Sequence, residues 1–245
     1  METPDLTPFD FLSGPAARFG ARLVPPSSAP DAIPASALAA EGGLDLALGT
    51  LRSRHPDGEA RALLSLWSRH YFYTLIPPVV LGALLAGRTL PLDLSRTAVH
   101  LNGDGVPAAI VLPHAGTADG PVAAADMLRA LARDHLEPLI QGLAAQAAVS
   151  PRVLWANAAG YLHWVVEQLA AEDPASPAVA EADALIHAGA WPDGWRNALD
   201  EPMRYTDGPE GRQAWRKVCC LLYRVPGGTL CPYCPLALRA SCREH

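Results

Sequence analysis

The first 218 residues of this 245-residue chain contain no cysteine, so no disulfide framework can run through its body. Charge is also scarce: 18% of residues are charged, and 19 basic against 25 acidic residues leave a net charge of −6. This balance lacks the basic footprint of a nucleic-acid binder, and no nucleic acid is expected as a ligand. There is no Gly-x-Ser-x-Gly elbow, no Gly-x-x-x-x-Gly-Lys phosphate loop and no His-x-x-x-His pair, so hydrolase, P-loop and helical zinc chemistry have no foothold. Each of the eight histidines is expected to be a helix-surface or core residue. Residues Gly103 to Ala108 superficially fit the Gly-x-Gly-x-x-Ala dinucleotide fingerprint, but Pro107 and a strand-like run stand where that fingerprint needs a helix. No other segment suggests a nicotinamide or flavin site. The opening Met-Glu-Thr-Pro-Asp lacks the basic-then-apolar profile of a secretory signal, which predicts a cytoplasmic protein.

Half of the residues are apolar, dominated by alanine and leucine, with β-branched and aromatic residues sparse. This composition predicts a packed, mainly α fold with a small antiparallel β-hairpin or sheet, an α+β protein. An N-terminal helical region (1–60) precedes a mainly helical body (61–210) and a C-terminal cysteine-rich segment (211–245). Helical patterns run from Pro34 to His55, interrupted at Gly42-Gly43, and from Glu59 to Tyr73, after which Pro77-Pro78 re-aims the chain into a second apolar helix ending near Gly87. Tyr71 to Gly87 carries no charge. It is short for a membrane span and broken by its prolines, so a kinked, buried helix pair is expected, with peripheral inner-membrane contact as the alternative. A hairpin near 97–112 turns at Asn102-Gly-Asp-Gly105. Two helices meeting near Pro138 are expected over 121–146, single helices over 151–172 and 177–190, and a loop from Trp191 to Gly211.

All five cysteines lie in the last stretch: Cys219-Cys220, ten residues, Cys231-Pro-Tyr-Cys234, seven residues, Cys242. A Cys-x-x-Cys turn aims two sulfurs at one metal. Adjacent cysteines diverge on a strand and differ by about 100° on a helix, so both can ligate only at a bend. That is awkward for one tetrahedral zinc and suits a two-iron rhomb, so iron is favoured. Two rivals use the same residues: a four-thiolate zinc module, and a structural 4Fe-4S cluster on Cys220, Cys231, Cys234 and Cys242, as in helix-hairpin-helix DNA glycosylases. Arg216, Lys217, Arg224 and the backbone around Gly227-Gly228 would stabilise charge gained on reduction, or are simply solvated.

Arg216 to Tyr223, the ten-residue gap and Cys231-x-x-Cys234-Pro235 resemble the C-terminal 2Fe-2S signature of FhuF-like ferric siderophore reductases. Pro151 to Asn157 and Trp67 to Leu90 are similar to other parts of that family. The resemblance implies a 2Fe-2S cluster on Cys219, Cys220, Cys231 and Cys234, with Cys242 outside the pattern. It implies a cytoplasmic ferric siderophore as substrate, often of hydroxamate type, reduced by one electron with no catalytic group beyond the cluster. Fe(II) is held far more weakly than Fe(III) by hard oxygen donors, so one electron makes the chelate labile. Trp191, Trp195, Tyr205, Arg216 and Tyr223 are candidates to line the substrate site. With no nicotinamide or flavin site, recharging falls to an external donor such as a ferredoxin, a flavodoxin or a small reductase.

Overall fold

A computed structural model describes residues 9–118, 120–208 and 211–241. In chain order its elements are α1 (Ala17–Gly20), β1 (Leu23–Val24), β2 (Ile33–Pro34), α2 (Ala35–Ala39), α3 (Gly43–Arg54), α4 (Ala60–Ala86), β3 (Ala98–Leu101), β4 (Pro107–Val111), α5 (Ala124–Arg129), α6 (Glu137–Gln146), α7 (Pro151–Glu172), α8 (Pro177–His187), β5 (Met203–Gly208), β6 (Gly211–Arg216) and α9 (Pro235–Ser241). The fold is mainly helical with two small sheets, as the composition predicts. The break at Gly42-Gly43 separates α2 from α3, and α7 starts at Pro151, where a missing N–H costs nothing.

Helix α4 is the axis of the fold and packs along α7. Leu63, Trp67, Tyr71, Leu75, Ile76 and Val80 are all buried. The expected kink and helix pair are not found: Pro77 and Pro78 sit inside one continuous helix. Each interior proline costs about 3 kcal/mol, so the two together cost roughly 6 kcal/mol. Burying Leu75, Ile76, Val79, Val80 and Leu81 contributes roughly 1.5–3 kcal/mol each, enough to outweigh that cost. Thr74 donates its hydroxyl to the Pro107 carbonyl at 3.1 Å and so ties the proline-bearing stretch to β4. The helix ends where expected, at Gly87, whose left-handed φ of 59° lets the Arg88 N–H reach back to the Gly82 carbonyl. The run from Tyr71 to Gly87 is uncharged because it lies mostly in the protein's own core. Among the described residues no helix is long and apolar enough to cross a membrane.

Strands β3 and β4 form the antiparallel hairpin, with Val99 opposite Ile110. Asn102 closes the turn by accepting from the Asp104 and Val106 N–H groups, both at 3.0 Å. β1 adds in parallel to β4 and β2 antiparallel to β3, giving the order β1-β4-β3-β2. The chain following Gly103 and Gly105 is thus a strand.

The two helices expected to meet near Pro138 form one helical run in which Ala130–Leu136 is π-helical. Pro138 cannot donate to the carbonyl four residues back and its ring crowds that group; a widened turn just before it relieves both. The widening buries His135. Its Nδ1–H donates to the Leu92 carbonyl at 2.8 Å, and Nε2 accepts from the Tyr71 hydroxyl at 2.7 Å. Burial pushes the imidazole down to about 4, whereas the unfolded value is near 6.5. The unfolded chain therefore binds this proton first as pH falls. Stability present above pH 6.5 is lost progressively toward pH 4, by about 3 kcal/mol in all. Urea midpoints measured from pH 7 to 4 should show this loss, and His135→Gln should flatten the profile. An unchanged slope in that variant would assign the acid sensitivity elsewhere.

The expected loop from Trp191 to Gly211 is only partly a loop. Its end pairs with the following residues as a second hairpin, β5 with β6, in a register that sets Met203 against Arg216. Trp215 donates its indole N–H to the Thr206 hydroxyl at 2.9 Å across this ribbon. The ribbon delivers Arg216 to the start of the cysteine segment.

Candidate metal centre

The adjacent cysteines sit on a bend. Leu221 takes a left-handed φ of 58°, which is uncommon for a residue with a side chain, and its N–H donates to the Cys219 sulfur at 3.5 Å. The chain returns through a turn at Val225 to Gly228. At Gly228 any side chain would strike the Leu222 carbonyl, its Cβ lying only 2.1 Å away. Cys231 and Cys234 lie on the next tight turn, closed by the Cys234 N–H on the Cys231 carbonyl at 3.0 Å, and α9 starts immediately after. Cys220 and Cys234 are buried, Cys219 and Cys231 half-buried.

The sulfurs do not converge on one point: among the described residues, no three His, Cys, Asp or Glu groups are placed to hold a single ion. Cys219 interacts electrostatically with both Cys220 and Cys234, and Cys231 likewise with both Cys220 and Cys234, so the four sulfurs form one neighbouring group. Burial pushes the Cys231 thiol up to about 12, reinforced by neighbouring Cys220, and burial also raises Cys219. Four thiolates this close need cationic partners, and sulfurs that do not converge on one point suit two irons better than one tetrahedral zinc. Cys242 lies outside the described residues.

Arg216 supplies fixed positive charge beside Cys220 and Cys231. Its N–H donates to the Tyr233 carbonyl at 2.8 Å, and its guanidinium donates to the Asn157 Oδ1 at 2.6 Å. Burial favours its neutral form while the two sulfurs favour its charged form. Asn157, on α7, donates to the Ser65 hydroxyl at 3.0 Å and the Ser68 hydroxyl at 3.1 Å, and Ser65 donates to the Cys220 carbonyl at 2.7 Å. Asn157, Ser65 and Ser68 are all buried. A polar chain thus locks the cysteine bend onto α4 and α7. At the surface, Arg224 donates to Glu59 at 2.8 Å, a second tether to the start of α4.

Sequence reasoning missed Ser65 and Ser68 as members of this site. Their signal was available: polar residues three apart on an otherwise apolar face of α4, facing Asn157 on the apolar face of α7. Asn157→Leu leaves the Arg216 guanidinium and two buried hydroxyls short of partners. It should lower stability by about 2–4 kcal/mol, read as a drop in the urea midpoint. An unchanged midpoint would make the network a spectator.

The other sequence candidates are dispersed. Trp191 is buried, donates its indole N–H to the Leu185 carbonyl at 3.2 Å and packs against Trp195, ring centroids 4.4 Å apart. Tyr205 is exposed on β5 beneath the Arg212 guanidinium. Tyr223 is at the surface and accepts from Arg224 at 3.0 Å. Arg216 alone among these candidates is brought against the cysteines.

The family described as "Ferric iron reductase FhuF-like transporter" matches residues 65–213, and "FhuF 2Fe-2S C-terminal domain" matches residues 216–236. The second match spans Cys219, Cys220, Cys231 and Cys234 and stops short of Cys242. The ferric siderophore reductase of Escherichia coli (strain K12) is 24% identical over 182 residues, covering 73% of this chain and 67% of its own length. The C-terminal segment is thus a 2Fe-2S domain.

Proposed function

Because the chain belongs to the FhuF-like ferric iron reductase family, we propose that it reduces siderophore-bound Fe(III) to Fe(II) by one electron in the cytoplasm. The observation that carries this reading is the group of four neighbouring thiols beside Arg216. Cys219, Cys220, Cys231 and Cys234 would hold the two irons. When bound, such a cluster supplies a single electron at a time. The protein's own residues do the rest. Arg216 favours the added negative charge, the Leu221 bend and the Cys231 turn orient the sulfurs, and the Ser65-Asn157 chain holds the segment still. No protein acid or nucleophile is required, since the ferrous chelate is labile once formed.

Recharging falls to an external ferredoxin, flavodoxin or reductase. Half-buried Cys231 is flanked in the chain by exposed Leu230 and Tyr233, a surface on which such a donor can approach the centre. The division into an N-terminal region (1–60), a reductase-like body (61–210) and a cluster segment (211–245) fits this reading, with the polar chain as the joint between body and segment.

The test is a single turnover. Protein reduced chemically under anaerobic conditions and freed of reductant is mixed with a ferric siderophore and a ferrous trap. One Fe(II) per chain should appear as the protein is reoxidised. Failure to reoxidise in the presence of any ferric chelate would sink the reading, and turnover with NADPH alone would reveal a second redox site.

A further inference from the structure

A cleft of about 640 Å³ opens between α7 and the segment that leads into the cysteines. Its walls include Arg152 and Trp155 of α7, Arg196 and Asp200 from the loop before β5, and Lys217 and Val218. Val218 is bonded to Cys219, so an occupant of this cleft lies against the backbone of a proposed iron ligand. The volume falls within the range of small-molecule sites, roughly 300–1,000 Å³.

The charges of the cleft are unevenly satisfied. Lys217 is neutralised by Glu201, another wall residue. Arg152 and Arg196 are exposed and, among the described residues, neither guanidinium has a carboxylate partner. Asp200 presents the complementary gap: its Oδ1 is buried and, among the described residues, accepts from no donor. The Trp155 ring packs against Trp195, centroids 6.2 Å apart, and gives the cleft an aromatic side. A ligand that completes this set brings carboxylates to the two arginines, a hydroxyl or N–H to Asp200, and an apolar edge to the tryptophan.

Resting on the reductase reading above, we propose that this cleft is the chelate site and that it selects ferric chelates with free peripheral carboxylates and hydroxyl groups, the hydroxycarboxylate class, over neutral trihydroxamates. The two arginines grip the carboxylates in the bidentate geometry that guanidinium favours. The iron is then held beside the Val218-Cys219 link, with no covalent step in binding.

Redox-inert gallium(III) chelates test binding apart from electron transfer. The oxidised, cluster-bearing protein is titrated by calorimetry with the gallium chelate of a carboxylate-bearing hydroxycarboxylate siderophore and with a neutral gallium trihydroxamate. The carboxylate form should bind at least ~10-fold tighter, with an affinity that falls as salt rises. Arg152→Gln with Arg196→Gln should weaken it a further ~10- to 100-fold relative to wild type, with Tm and cluster absorbance unchanged because both side chains are exposed. Equal affinity for the two chelates, or a double variant that binds the carboxylate form like wild type, overturns the proposal. The two readings fail separately. A protein that reduces ferric chelates in the single-turnover assay without this preference loses the ligand class alone; one that shows the preference yet transfers no electron loses the reductase reading.

Discussion

Serine at any one of positions 219, 220, 231 or 234 is expected to strip the protein of its iron, whereas Cys242→Ser should retain it. Four sulfurs shared by two irons leave two for each, so the loss of any one opens half of the site. Removing a partner that only orients a ligand costs about 10–100-fold in metal affinity or activity. Removing the ligand itself should exceed that, and reduction of ferric chelates should fall by more than ~100-fold. Iron content and visible absorbance of anaerobically purified variants measure this directly. A Cys219→Ser protein with its full iron, together with an iron-free Cys242→Ser protein, would instead select the rival set in which Cys242 is the fourth ligand.

Arg216→Gln is expected to act on potential more than on occupancy. Reduction adds one negative charge next to Cys220 and Cys231, and the half-buried guanidinium beside them stabilises it more than an exposed cation would. Losing that charge should make the midpoint potential more negative, on the order of 60 mV, a tenfold change in a one-electron equilibrium. Arg216→Lys keeps the charge and should keep most of the potential, although it loses the planar donor that meets Asn157. Spectroelectrochemical titration separates the outcomes. A Gln variant that retains its cluster at an unshifted potential would reduce Arg216 to a structural clamp.

The cysteine segment was legible in the sequence because ligand spacing is a local property: two bends carrying two sulfurs each are written in the sixteen positions from Cys219 to Cys234. The mainly helical body and the first hairpin were legible from composition, periodicity and the Asn102 to Gly105 turn. Pro77-Pro78 misled because propensity is a local cost, whereas the packing that overrides it around Ile76 and Val80 is tertiary. The β5-β6 ribbon was missed although Asp207-Gly208-Pro209-Glu210-Gly211 is a run of turn and polar residues, because its strands are half exposed and show little apolar alternation. The Ser65-Asn157-Arg216 chain spans residues 65 to 220. Only the fold brings its members together, so sequence spacing could not reveal it.

A two-iron redox centre on four cysteines is tested most directly by joint iron, zinc and acid-labile sulfide analysis of anaerobically purified protein, with electron paramagnetic resonance of the same sample after one-electron reduction. Two irons and two sulfides per chain, no stoichiometric zinc, and a spin-one-half signal integrating to one per chain are expected. Colourless protein with one zinc, or four irons and four sulfides per chain, would contradict it.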